Sequence, residues 1–124
     1  MIVVIAAVAI CGALGAVSRF QLDGFIQNRV RGMMPVGTLI INVIGSFILG
    51  MFVGLHLRHG LSNTIELAIG TGFCGGFTTF SSLMYESTQL AQEGAHRQAV
   101  RILSLNLILG SFAAAIGLAA TGAF

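Results

Sequence analysis

The chain has 124 residues, of which 56% are hydrophobic and 8% charged, and its net charge of +2 comes from six arginines, no lysine and four acidic residues. Ordinary soluble domains carry roughly a quarter charged residues, so a water-soluble fold of this size is excluded and lipid is the main solvent. The length leaves room for one domain, residues 1–124, and so small and scattered a charge excludes nucleic acid as a partner.

A hydrocarbon core of about 30 Å needs roughly 20 apolar residues in a helix, and the charges leave four such windows. The first, Met1–Val17, has no charge. A cleaved signal would want basic residues ahead of its apolar stretch; none precedes Arg19, so a retained helix is expected over about 2–19. The polar QLDGFIQNRVRG stretch then reads as a loop holding a short amphipathic piece. Pro35 suits the first turn of a second helix at about 36–57, since a missing N–H costs little there. The window around that helix, Gly32–Leu57, holds only His56 near its end. RHGLSNT makes a turn, with Ser62 or Asn63 as N-cap of a third span at about 65–90 around the uncharged run Leu67–Tyr85. A loop near Gln92–Arg97 leads to a fourth span at about 99–122, within the uncharged run Ile102–Phe124. The expected fold class is an all-α membrane protein with four transmembrane helices.

Small residues recur every four positions, at Gly12 and Ala16, at Ser46, Gly50 and Gly54, and at Ser111, Ala115 and Ala119. In lipid such stripes let helix backbones approach closely, and the 17 glycines suit tight helix contacts within or between chains. Cys11 and Cys74 lack CxxC spacing, so neither a disulfide framework nor a metal site follows. With four spans, Arg19, Arg29, Arg31, Arg97 and Arg101 fall on one side and Arg58 on the other. The positive-inside rule then places the first set in the cytoplasm, a bias that weakens if Arg19 or Arg101 lies within the membrane.

The third span carries the sequence's most unusual stretch, GTGFCGGFTTFSSLMYE, Gly70 to Glu86. Gly70-x-Gly72-x-x-Gly75 has the outline of a dinucleotide loop, but such a loop follows a strand in a βαβ unit. No strand is expected before Gly70, so no nucleotide is expected either. Gly72, Gly75 and Gly76, followed by Phe77, Thr78 and Thr79, are weak helix formers, and a break near 75–79 is one reading. Carbonyls freed at membrane depth are tolerated only inside protein or beside water, and broken transporter helices use them to hold cations. A glycine-rich packing surface without a break is the other reading.

Beyond the break Ser81, Met84 and Tyr85 share one helix face, with Ser82 and Glu86 on its neighbour. Hydroxyls ending in a carboxylate suit a wet path, although a serine also satisfies itself on the preceding turn. An intramembrane Glu86 is a functional candidate, or a marker of the water interface. Asn42, seven residues after Pro35, needs partners inside the bilayer: it either glues helices together or offers its NH2 group to an anion. Arg19 is either a membrane-edge anchor or a lure for anions. No nucleophile, base and orienting group converge in the sequence, so an enzyme is not expected.

Taken together, Gly15-x-x-x-Arg19, Gly37-Thr38-x-x-x-Asn42 and Gly75-Gly76-Phe77-Thr78-Thr79-Phe80-Ser81 resemble the small bacterial fluoride channels, the Fluc or CrcB family. The likeness covers nearly the whole chain. It implies an antiparallel, dual-topology homodimer in the inner (plasma) membrane of a bacterium, with two fluoride pores and passive export of toxic fluoride. It also implies a central structural sodium ion held by the carbonyls of Gly75 and Thr78 from each chain. Asn42, Phe80, Ser81, Ser82, Ser111 and Glu86 would belong to the pore and Arg19 to an aqueous vestibule. Leu83 departs from the pattern, because the family usually places a second phenylalanine there. Slower conduction, or a ring supplied by a partner chain, would follow, and under slow conduction Leu83→Phe is expected to raise the rate. The arginine bias also sits awkwardly with equal insertion both ways and suits one half of a paralogue pair. A dual-topology multidrug exporter is the rival of similar size, but it needs a carboxylate deep in its first helix. A non-conducting structural subunit is the other rival, and it leaves the clustering of Asn42, the glycines and the hydroxyls unexplained.

Overall fold

Backbone buried in lipid must satisfy its own polar groups, and a helix does so within one segment. The computed structural model describes residues 1–30 and 35–122, and among these it contains helices and no strand. Arg31, the window start at Gly32 and the chain end at Phe124 lie outside the described residues.

Three helices are long and apolar enough to cross a membrane: α1 (Ile2–Arg29), α2 (Val36–His59) and α6 (His96–Ala120). Between α2 and α6 runs a composite column. It begins with α3 (Asn63–Glu66), widens into a π-helical stretch (Leu67–Cys74) and tightens again as α4 (Gly75–Phe77). The helix then stops at Thr78, whose backbone is extended (φ −79°, ψ 160°), and resumes as α5 (Ser81–Gln92). The break thus lies at 78–80, just past Gly75 and Gly76, which remain helical. The fold is all-helical, with four columns and the third one interrupted.

α1 runs ten residues past the expected end at Arg19. Its second half has no proline, keeps Leu22 and Ile26 half-buried, and places Arg29 4.3 Å from the Phe25 ring one turn earlier. A cation in the last turn also complements the helix dipole. Pro35 stands just outside α2 as its N-cap, and Gly60 ends that helix in the left-handed conformation (φ 68°). Ser62 caps α3, accepting the Ile65 N–H at 3.3 Å.

α1 packs along the π-helical stretch and α4, α2 along α6, and α5 against α6. Backbone nearly touches backbone along two helix contacts, α1 with the third column and α2 with α6. A Cβ on Gly76 would strike the Gly12 carbonyl, and one on Gly50 would strike the Ala114 carbonyl. The stripe at Ser111, Ala115 and Ala119 is not the face of α6 that meets α2; those residues are exposed, whereas Ala113 and Gly117 are buried. An apolar seam of Leu83, Leu90, Ala99 and Ile102 joins α5 to α6.

Candidate functional site

The break is built by side chains that outcompete the helix for its own backbone. Thr78 turns both its N–H and its Oγ1 onto the Cys74 carbonyl, each at 2.8 Å. Its methyl group packs where Gly45 of α2 has no side chain. Thr79 is held at both ends of its peptide unit. Its N–H donates to Asn42 Oδ1 at 2.9 Å, and its carbonyl accepts from Asn42 Nδ2 at 3.1 Å. Thr79 Oγ1 accepts the Ser82 N–H at 3.2 Å, capping α5, and lies 3.2 Å from Ser81 Oγ. On the opposite flank Arg19 Nε of α1 donates to the Gly76 carbonyl at 3.3 Å.

With the Thr79 and Ser82 N–H groups diverted in this way, no backbone N–H among the described residues reaches the carbonyls of Gly75 or Thr78. Both residues line an open groove of about 670 Å³ that also takes in Asn42, Phe80, Leu83 and Asn106. Asn106, on α6, is only 8% exposed. Its Oδ1 accepts from Asn42 Nδ2 at 2.9 Å, and its Nδ2 donates to the Ile102 carbonyl at 2.9 Å. The groove wall is uncharged and mostly apolar, with the two carboxamides and the Thr78 and Thr79 groups set among aliphatic side chains and the Phe80 ring. Among the described residues no group of three or more His, Cys, Asp or Glu gathers anywhere.

The expected site residues separate into two sets. Asn42, Phe80, Gly75 and Thr78 meet at the groove, and Phe80 projects from the chain, 73% exposed. Ser81, Ser82, Glu86 and Ser111 do not line it. The Ser81 hydroxyl lies against Thr79 Oγ1, Ser82 meets Thr79 only through its backbone N–H, and Ser111 sits on the exposed face of α6, about 140° round the helix from Asn106. Glu86 is turned toward α2, where Oε1 accepts from Thr38 Oγ1 at 3.0 Å and Oε2 is buried without a partner. Arg19 is half-buried against the break rather than confined to a loop. Leu83 touches the groove but is mainly a core residue, 7% exposed. Gly70 and Gly72 lie in the π-helical stretch, with no strand before them among the described residues, so nothing there forms a phosphate loop.

Three participants were not expected as site residues. Thr38 and Thr79 act through bonds that only the fold creates. Asn106 carried a signal in the sequence: an amide inside the uncharged run Ile102–Phe124 needs partners for the reason that singled out Asn42.

The family described as CrcB-like protein, Camphor Resistance (CrcB), matches residues 6–118. The Fluoride-specific ion channel FluC 1 of Leifsonia xyli is 46% identical over 93% of this chain and 84% of its own length. The Fluoride-specific ion channel FluC 2 of Cutibacterium acnes is 44% identical over 90% of this chain and 92% of its own. The Fluoride-specific ion channel FluC of a Thermus thermophilus strain is 40% identical over 94% and 93%. With the interrupted third column and a family match spanning most of its length, this multi-pass membrane protein belongs to the CrcB family.

Proposed function

We propose that the chain is a fluoride-selective channel that lets toxic fluoride leave a bacterial cell passively across the inner membrane. The family is one of ion channels rather than enzymes, and the relatives above are named fluoride-specific. The observation that carries the reading in this molecule is the groove itself, where two carboxamides and an exposed phenyl ring meet at a helix break. Fluoride holds its water tightly, so a pore must offer donors in exchange. Carboxamide N–H groups supply them, and the positive edge of a ring attracts an anion without trapping it. Weak binding at several sites is what conduction requires.

The reading extends to an antiparallel dimer with two pores. A groove open on one side and a Phe80 ring standing clear of its own chain support a second chain, identical or paralogous, seated there. A structural sodium ion fits the break, because the carbonyls of Gly75 and Thr78 are neutral oxygen donors without backbone partners. Those two carbonyls from each chain would hold the ion, which supplies positive potential and ties the two breaks together. Ser81, Ser82, Ser111 and Glu86 would serve as outer polar stations, and Arg19 would raise the local positive potential at the break. In liposomes containing only this protein and loaded with fluoride or chloride, fluoride efflux should far outpace chloride. Equal rates would sink the reading, while efflux that appears only after a paralogue is added would replace the homodimer with a heterodimer.

A further inference from the structure

The outer face of α6 joins a cationic end to an apolar flank. Arg97, Arg101, Ser104, Ile108 and Phe112 are all exposed, and at about 100° per residue they fall within about 80° of one another around the helix. The buried residues of α6, among them Ala99, Ile102 and Ala113, fall on the opposite side. The stripe therefore faces away from the bundle, and none of its residues lines the groove at the break. Nothing among the described residues accounts for the two cations. Of the arginines described, Arg19 alone hydrogen-bonds within the chain. Glu93, the carboxylate nearest to Arg97 and Arg101 in sequence, is exposed where α5 ends. Cations at the amino-terminal end of a helix oppose its dipole, and the first turn of α6 holds no acidic residue to offset them.

We propose that this stripe seats an anionic phospholipid, with Arg97 and Arg101 on its phosphate and an acyl chain along Ile108 and Phe112. Residues four apart on a helix are neighbours, so both guanidinium groups can reach one phosphate, each offering a planar fork of donors. Ser104 adds a hydroxyl one turn further along α6. From Arg101 to Phe112 the helix rises about 16 Å, close to the depth of one leaflet in a hydrocarbon core about 30 Å thick. The head and the tail of a single lipid thus meet matching chemistry in the right order. Charge selects the class of lipid. Two cations without a carboxylate between them attract a headgroup of net negative charge, whereas a zwitterionic headgroup brings its own ammonium. The proposal is independent of which ion the protein carries.

The test is thermal unfolding in an uncharged detergent while phosphatidylglycerol, phosphatidylcholine or glycerol phosphate is titrated in. It compares the wild type, the double variant Arg97→Gln/Arg101→Gln, and Arg58→Gln at the opposite membrane face. A ligand of the folded state raises the midpoint, so phosphatidylglycerol should raise that of the wild type further, and at lower concentration, than phosphatidylcholine. Each basic residue beside an anionic headgroup strengthens binding roughly fivefold. The double variant should therefore need about 10–30 times more phosphatidylglycerol for the same rise, while its midpoint without lipid stays close to that of the wild type. Arg58→Gln should respond as the wild type does. Glycerol phosphate, a headgroup without chains, should leave every midpoint where it was. The assignment is overturned if the double variant keeps the full response, if Arg58→Gln loses as much, or if the two lipids act alike. A response to glycerol phosphate as large as that to the lipid would also overturn it, by making this a site for a free anion.

Discussion

Leu83 sits among Leu90, Ala99 and Ile102, in the seam between α5 and α6. A phenylalanine there adds volume to a filled space, and overpacking of this kind costs about 1–3 kcal/mol. Leu83→Phe should therefore lower the thermal unfolding midpoint in detergent without raising fluoride efflux, which reverses the expectation drawn from the family pattern. Faster efflux at an unchanged midpoint would show that the side chain faces the ion path after all. The expectation of a faster channel rests on the family pattern, whereas the burial of Leu83 in this seam argues for a packing role. Ser81, Met84 and Tyr85 do share a face, but the burial of Leu83, Ser87 and Leu90 shows which side of α5 turns inward. Asn42 was readable because an amide in an apolar run must be bonded to something. Its partner, the peptide unit of Thr79, was not, since a backbone group announces itself only once the helix is known to stop there.

Among the elements, the π-helical stretch and α4 pack directly against α1. Gly72 lies so close to α1 that a Cβ would come 2.8 Å from the Val8 carbonyl, and Gly76 is tighter still against Gly12. Gly76→Ala should push the two helices apart and cost about 1–3 kcal/mol, the usual range for overpacking. Gly24, farther along α1, has nothing within 4 Å of the point a Cβ would occupy. Gly24→Ala should be neutral or stabilise by up to about 1 kcal/mol through helix propensity. Thermal unfolding of the two variants side by side checks the contrast; equal shifts would mean that the close approach does not limit packing. The break was readable from its glycines and threonines because weak helix formers cluster there. The π-helical stretch was not, because nothing in its local composition distinguishes it from an ordinary α-helical run. The length of α1 was missed for a simpler reason: a run with Asp23, Gly24 and Arg29 looks like a loop until the half-buried Leu22 and Ile26 show that it keeps an inward face.

For the whole molecule, the bond from Arg19 to Gly76 removes one cation from the loops. In the sequence that leaves Arg29, Arg31, Arg97 and Arg101 opposed to Arg58, a bias only slightly smaller than the plain count. The same bond has a mechanical consequence. Asn42 fastens the interrupted column to α2 on one flank, and Arg19 fastens it to α1 on the other. An interruption tethered on both flanks is a poor hinge, so ions should pass through a standing path with no cycle of opening and closing to wait for. Fluoride efflux should then rise only gently with temperature, well short of the roughly 3–6-fold per 10 °C typical of steps that unpack a protein. A steep rise would reveal a moving part. Without one, the resting shape of the protein would also be its conducting shape.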